Sequence, residues 1–113
     1  MITIWHNPRC SKSRQTLALI EAAGVPHMVR KYLEDAPNLA ELEKAQVALG
    51  VAVIDMLRPS EKLFKELGLT RTDSGASLLS AAAQNPILIE RPIVFSGNRA
   101  VIGRPPEAVE ALL

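Results

Sequence analysis

The N-terminal third of the chain changes its hydrophobic period twice. Residues 2–5 are apolar and β-prone and stop at the turn residues Asn7 and Pro8, as is typical of a short strand. Between residues 11 and 23 apolar positions recur at helical spacing, and Gly24 then favours a left-handed helix end. Residues 27–32 again have the character of a strand. Strand, helix and strand within about thirty residues predict a parallel βαβ unit with a right-handed crossover.

The middle of the chain favours helices. Asn38 and Glu41 form a capping-box sequence at the start of the first helix, which Gly50 ends. A second helical segment covers residues 51–57 and stops before Pro59, because the residue before a proline disfavours helical geometry. This places Arg58 at a helix end, with its guanidinium free to leave the helix surface.

Two further helices are predicted before residue 86. Ser60 is placed to cap the third helix, which ends at Gly68. Asp73 or Ser74 is placed to cap the fourth helix, which ends before Asn85 and Pro86.

The C-terminal quarter contains short apolar runs separated by turn residues. Residues 87–89 and 93–95 are predicted as strands, and Gly97-Asn98 is a two-residue hairpin signal leading to a strand at 100–102. A proline is excluded from the middle of a paired strand, so Pro92 marks an irregular start, and we expect a cis Arg91–Pro92 bond. Pro106 fits the first turn of a closing helix that runs to residue 113.

This order of elements predicts one α/β domain over residues 1–113. A βαβ half comes first and a ββα half comes last, with a helical insertion at about 38–85 between them. Because the first half is parallel and the second contains an antiparallel hairpin, we expect a four-stranded mixed sheet with flanking helices. The sequence contains no visible internal repeat or linker.

Composition and charge restrict the class of function. Hydrophobic residues make up 48% and charged residues 22% of the 113 positions, which is ordinary for a globular domain. A formal net charge of +1 argues against a broad nucleic-acid or acidic-membrane footprint. The sequence shows neither a signal-type segment nor an apolar run of membrane-spanning length. With a single cysteine, no internal disulfide is possible, and we expect a reducing cytoplasm.

Cys10 is the strongest candidate for chemistry. Its position between a strand and a helix start favours the thiolate, because unpaired helix N–H groups attract negative charge. The neighbouring Arg9, Lys12 and Arg14 add positive potential. The alternative is that a lone cysteine is a small buried hydrophobe, but these polar neighbours are not an apolar run. Two distant histidines and one cysteine provide no metal-ligand spacing, so we expect no metal.

Four separated motifs resemble one known family. They are His6-Asn7-Pro8-x-Cys10-x-x-Ser13-Arg14, Leu57-Arg58, Asn85-Pro86-Ile87-Leu88-Ile89-x-Arg91-Pro92-Ile93-Val94 and Arg104-Pro105. Together they resemble the arsenate reductases of the glutaredoxin-linked ArsC family, in its short form. The resemblance implies a thioredoxin-like fold with a helical insertion between its two halves.

The resemblance also implies a site and a reaction. Cys10 would be the nucleophile, Arg58, Arg91 and Arg104 would hold the oxyanion, and Pro92 would be cis. The substrate would be arsenate, no cofactor would be bound, and glutathione with glutaredoxin would supply the reducing thiols. We expect a monomer without nucleic-acid or membrane partners.

Two neighbours of the thiol have supporting roles in this interpretation. Ser13 lies one helical turn after Cys10, so its hydroxyl is within reach of the thiolate without being a redox partner. His6 is either a cation that lowers the pKa of Cys10 or a residue that caps the end of the first strand.

Two other functions fit parts of the sequence. One is a monothiol glutaredoxin-like oxidoreductase that acts on another substrate. The other is a regulatory protein that resembles the Spx transcriptional regulators, which bind RNA polymerase. Those regulators typically carry C-x-x-C, whereas this chain has Ser13 in the second position.

Overall fold

The structure, a computed structural model, describes all residues 1–113. The chain divides into two units, one formed by residues 1–35 with 91–113 and the other by residues 36–90. The first unit contains a four-stranded sheet whose strands are β1 (Ile2–Trp5), β2 (His27–Arg30), β3 (Ile93–Ser96) and β4 (Arg99–Ile102).

The sheet has the order β2-β1-β3-β4 and mixed strand directions. β1 pairs in parallel with β2 and antiparallel with β3, where Ile4 lies opposite Val94. β3 and β4 form an antiparallel hairpin, and Gly97 in its turn has a φ of 60°, which a side chain would disfavour. The predicted four-stranded mixed sheet with its terminal hairpin is therefore confirmed.

Helix α1 (Ser11–Ala22) and a C-terminal 3₁₀ helix (Pro106–Leu112) pack with the sheet. The core of this unit is formed by five buried apolar residues, namely Ile2, Ile4, Ile20, Val94 and Val109. Burial of each such side chain stabilises the fold by about 1.5–3 kcal/mol. The N-terminus of α1 is thereby held on a rigid sheet.

The second unit is helical, with α2 (Leu39–Leu49), α3 (Lys62–Glu66) and α4 (Gly75–Gln84). The predicted capping box is present, since Asn38 Oδ1 accepts from the Glu41 N–H at 2.8 Å and Glu41 Oε1 accepts from the Asn38 N–H at 3.1 Å. Ser74 caps α4, because its hydroxyl oxygen accepts from the Ser77 N–H at 3.2 Å. Both caps satisfy N–H groups that the helix itself cannot pair.

The predicted cap of the third helix was wrong. Its N-cap residue is Glu61, no side chain caps this end, and the helix has only five residues. Ser60 lies one position too early to accept from the first turn. The segment predicted at 51–57 is a single 3₁₀ helix, Val53–Met56, after which Leu57 is already extended.

The strand predicted at 87–89 was also wrong. Residues Pro86–Leu88 form a 3₁₀ turn, with the proline in its first turn, and Ile89 makes an isolated antiparallel bridge to Leu57. Leu88 and Ile89 are nevertheless fully buried, so the apolar run reflects the core of this unit rather than a strand.

Two X–Pro bonds are cis. The Arg91–Pro92 bond is cis as expected, and the Arg104–Pro105 bond is also cis, which the sequence analysis missed. The closing helix begins at Pro106 as predicted but has 3₁₀ geometry. No helix combines the length and the apolar character needed to cross a bilayer. The single-domain assignment and the 38–85 insertion stay predictions.

Candidate active site

A short, internally bonded loop places Cys10 at the start of α1. The Asn7 side-chain oxygen accepts from the Arg9 N–H at 3.0 Å, and the Asn7 carbonyl accepts from the Cys10 N–H at 3.0 Å. Arg14 on α1 donates to the Pro8 carbonyl at 2.9 Å. Cys10 is the N-cap residue of α1 in extended conformation, and it is partly exposed. The loop therefore presents the sulfur at the N-terminal end of the helix.

The surroundings of the Cys10 sulfur favour the thiolate. Burial alone would raise the pKa of Cys10, but hydrogen bonds from the Ser13 backbone N–H and the Arg91 side chain, the charge of Arg104 and the Lys12 backbone N–H together lower this pKa below its usual value. The negative sulfur is thus stabilised by helix N–H groups and by two arginines. The lowering of the Cys10 pKa that the sequence predicted therefore comes from the helix N–H groups and from the two arginines.

The arginines nearest the sulfur come from the far end of the chain. Arg104 Nη2 lies 3.3 Å from Cys10 Sγ, although the two residues are 94 positions apart. Arg104 Nε donates to the Arg91 carbonyl at 2.8 Å, which connects the two arginines. Sequence-local cations such as Arg9 and Arg14 are therefore secondary to this pair.

Gly103 allows the Arg104 loop to lie against α1. Its N–H donates to the Pro92 carbonyl at 2.9 Å, and its carbonyl accepts from the Thr16 hydroxyl at 3.4 Å. A Cβ on Gly103 would lie 2.5 Å from Thr16 Oγ1 and 2.8 Å from Pro92 Cγ, closer than real side chains approach. No local sequence pattern signals this requirement, because the contact joins segments that are far apart in the chain.

Ser13 acts on the thiol through its backbone rather than its hydroxyl. The hydroxyl is fully buried, lies 2.6 Å from His6 Nδ1, and accepts from the Asn7 N–H at 3.0 Å. Its backbone N–H stabilises the Cys10 thiolate. The expected hydroxyl–thiolate bond is therefore replaced by a network that fixes the loop.

His6 is a neutral partner in this network. Burial and the nearby charges of Lys31 and Arg14 lower the pKa of His6, with Glu21 opposing them. The His6 backbone N–H donates to the Arg30 carbonyl at 2.8 Å and extends the β1–β2 pairing by one residue. Of the two alternatives from the sequence, the backbone bond matches the residue at the strand end, and the lowered pKa of His6 disfavours the cation.

Arg58 lies in the second unit and is paired with carboxylates. Its Nη1 is 2.8 Å from Glu90 Oε1, and its Nε is 3.5 Å from Glu61 Oε1. The guanidinium was expected to be free to leave the helix surface, and it extends to a carboxylate on another segment of the same unit. The sequence analysis singled out neither glutamate, and for Glu90 no periodic pattern connects it with Arg58, 32 positions earlier.

The structure thus brings together Cys10, Arg91 and Arg104, with Pro92 packed under the arginine loop. Guanidinium groups beside a thiolate can bind an anion next to it, because the guanidinium charge offsets the repulsion between two negative groups. No three His, Cys, Asp or Glu side chains are grouped to hold a metal ion.

The fold and this site define the class. A mixed sheet of this order, with a cysteine at the N-terminus of the first helix, is a thioredoxin-like fold, as predicted. The model of the ArsC family matches residues 5–112. The chain belongs to the ArsC family.

Relatives in this family match along their whole length. An arsenate reductase of Neisseria meningitidis is 46% identical, with 99% of this chain and 97% of the relative covered. One of Haemophilus influenzae is 44% identical, with 99% and 98% covered. The solved structure of an arsenate reductase from Vibrio cholerae superimposes with a TM-score of 0.95 at 47% identity, covering 99% of this chain and 97% of that one.

Proposed function

We propose that this protein reduces arsenate to arsenite through a covalent Cys10–arsenate adduct, with external thiols as the reductant. The observation that carries the proposal is the contact of Arg104 Nη2 with Cys10 Sγ at 3.3 Å, with the Arg91 side chain bonded to the same sulfur. This arrangement suits an oxyanion that must approach a thiolate. The relatives at 44–46% identity that are named arsenate reductases support arsenate as the substrate.

In the first step the Cys10 thiolate attacks arsenic. A sulfur–arsenic bond forms, an arsenic–oxygen bond breaks, and the departing oxygen takes up protons and leaves as water. Arg91 and Arg104 stabilise the oxyanion as its charge shifts, because the planar guanidinium donates two parallel hydrogen bonds and stays charged. Arg58 is proposed as the third oxyanion ligand, on the basis of the family resemblance.

The reduction itself requires two electrons. The chain has a single cysteine, so two external thiols must provide them, and we propose glutathione and glutaredoxin. One external thiol replaces a second oxygen on arsenic, which leaves as water. The other thiol attacks that sulfur, so the two external sulfurs form one mixed disulfide and arsenic(V) becomes arsenic(III). Water then forms a new arsenic–oxygen bond and displaces Cys10 as its thiolate, which releases arsenite. Such chemistry requires a reducing compartment, for which we propose the cytoplasm.

The first experiment asks whether the thiol and the arginines form one anion site. The pKa of Cys10 is titrated by thiolate absorbance, with and without sulfate as a non-reducible oxyanion. A bound anion places negative charge beside the sulfur, so the pKa of Cys10 rises in the wild type and rises less in Arg104→Gln. If sulfate leaves the pKa of Cys10 unchanged, the proposed site is wrong.

The second experiment measures the reaction. Arsenate-dependent oxidation of NADPH is followed with glutathione, glutaredoxin and glutathione reductase present. We expect turnover in the wild type, and none in Cys10→Ser, which preserves size but removes the nucleophile. Equal rates with and without arsenate, or an active Cys10→Ser, would exclude the proposal and favour another thiol substrate.

A further inference from the structure

The second unit contains a small cluster of one cation and two anions. Arg58, Glu61 and Glu90 each have a side chain that is only about one fifth exposed, at 20%, 22% and 20%. At this degree of burial an ion pair is screened less than one at the surface. At neutral pH the three side chains together carry one positive and two negative charges.

Backbone hydrogen bonds hold Arg58 and Glu90, which form the shorter of the two ion pairs. The Arg58 N–H donates to the Leu88 carbonyl at 2.8 Å, and the Glu90 N–H donates to the Met56 carbonyl at 2.9 Å. These bonds flank the Leu57–Ile89 bridge, so Arg58 and Glu90 lie on two paired segments. The contact is thus set by the fold rather than by two mobile surface side chains.

The pairing changes what Arg58 can offer to a ligand. Glu90 occupies one Nη group at 2.8 Å, and Glu61 faces Nε at 3.5 Å. The guanidinium retains further N–H donors, because it has five. Two carboxylates therefore face the same guanidinium. An oxyanion that approaches Arg58 meets hydrogen-bond donors together with acidic side chains that repel it.

We propose that Glu90 is a positioning residue that competes with oxyanions for Arg58 and thereby sets the protein's affinity for its oxyanion substrate. This inference rests on the proposed function, which makes Arg58 an oxyanion ligand. Glu90 holds the guanidinium in place when no anion is bound, and its charge weakens anion binding there. The substitution Glu90→Gln separates these effects, because the amide oxygen still accepts from Nη1 and the negative charge is lost.

The test compares steady-state constants for arsenate in matched variants. Glu90→Gln is expected to lower KM by about three- to tenfold with kcat unchanged, because a charge close to Arg58 has been removed. Glu90→Asp keeps the charge and leaves KM within about twofold of the wild type. The control is Glu66→Gln, which changes the net charge equally but breaks an exposed pair, Lys62–Glu66 at 3.7 Å.

Repeating the substitution in the Arg58→Ala variant shows whether Glu90 changes KM by acting on Arg58. In Arg58→Ala, adding Glu90→Gln should change KM by less than about twofold, because the guanidinium on which Glu90 is proposed to act has been removed. A direct readout needs no turnover, namely modification of Arg58 by a dicarbonyl reagent, located by peptide mass. The rate of modification should rise in Glu90→Gln, and sulfate should slow it.

The outcomes distinguish the two proposals. If wild-type protein does not turn over arsenate, the proposed function fails, whatever the variants do. If the wild type is active but Glu90→Gln leaves KM unchanged or raises it, the role of Glu90 is overturned while the function stands. A lower KM that persists in the Arg58→Ala background also overturns it, because the charge would then act elsewhere.

Discussion

At the scale of single residues, Ser13 uses its backbone and its side chain for different partners. Its N–H stabilises the Cys10 thiolate, while its hydroxyl bonds His6 and Asn7 inside the protein. A buried hydroxyl with two partners fixes the loop, because losing one partner would leave a polar group unpaired. The Cys10 thiolate is thus stabilised by a residue whose side chain is bonded elsewhere in the loop.

His6 makes the free energy of unfolding depend on pH. Its pKa is lowered in the folded state, so the unfolded chain binds the extra proton first as the pH falls. Its contribution to the free energy of unfolding is therefore complete above about pH 6.5 and is lost as the pH falls through the folded pKa. In His6→Asn, the loss of stability between pH 7 and pH 5 should be smaller than in the wild type.

Urea unfolding at both pH values measures this difference. His27→Asn is the matched control, because His27 lies at the start of β2 and bonds the Val25 carbonyl at 2.9 Å. The control shows how replacing the other histidine of the chain affects stability. A His6→Asn protein that loses as much stability as the wild type between these pH values would contradict the assignment.

At the scale of elements, the loop at Gly103 aims Arg104 at the thiol. Gly103→Ala would place a methyl group 2.5 Å from Thr16 Oγ1, so either α1 or the loop must move. Overpacking of this kind costs about 1–3 kcal/mol, and a displaced Arg104 should also raise the pKa of Cys10. Denaturant unfolding and the pH profile of Cys10 alkylation measure the two effects.

Gly75→Ala is the control for this substitution. Its added Cβ would lie 3.1 Å from a methyl group of Val53, a tight contact that involves neither Thr16 nor Pro92. The pKa of Cys10 should therefore stay at its wild-type value. An alkylation profile of Gly103→Ala that coincides with the wild type would show that the loop does not position Arg104.

The residues Asn38 and Ser60 should differ in how much each contributes to the free energy of unfolding. Asn38→Ala removes the acceptor of a complete capping box and should lower the free energy of unfolding by about 1 kcal/mol. Ser60→Ala should change it by less than about 0.5 kcal/mol, because Ser60 does not cap α3. Chemical denaturation of both variants tests this, and a larger loss in Ser60→Ala would refute it.

The elements predicted correctly are those whose sequence signals lie within a few neighbouring residues. The box at Asn38 and Glu41, the turn at Gly97 and the cis bond before Pro92 all depend on neighbours within a few residues. The strand predicted at 87–89 failed, because a short buried apolar run has the same composition in a strand and in a turn. The cap at Ser60 failed by one position, since helix ends are settled by packing.

In the candidate site, too, some residues were identifiable from the sequence and others were not. Cys10 was identifiable from its own loop, and the family motifs indicated Arg91 and Arg104. The partners of Arg58 were not identifiable, since Glu61 and Glu90 resemble any solvated glutamate in sequence. The steric requirement at Gly103 was hidden for a similar reason, because it arises from contact with Thr16 on a distant helix.

At the scale of the whole molecule, one cysteine sets the redox stoichiometry. Since no internal disulfide can form, mild oxidation with excess glutathione should attach one glutathione per chain. Intact mass spectrometry should show a single adduct in the wild type and none in Cys10→Ser. A second adduct, or an adduct in the variant, would contradict the single-thiol chemistry proposed here.

The distance in sequence between Cys10 and Arg104 has a consequence for the order of events during synthesis. A ribosome makes the N-terminal segment first, so the cysteine leaves it long before residues 91–104 exist. Until that late segment joins the sheet, the thiol lacks both arginines, its pKa stays nearer the ordinary value and less of it is thiolate. In the nascent chain a smaller fraction of Cys10 is therefore thiolate than in the folded protein. The thiolate fraction reaches its full value only after the C-terminal segment has been made and has folded.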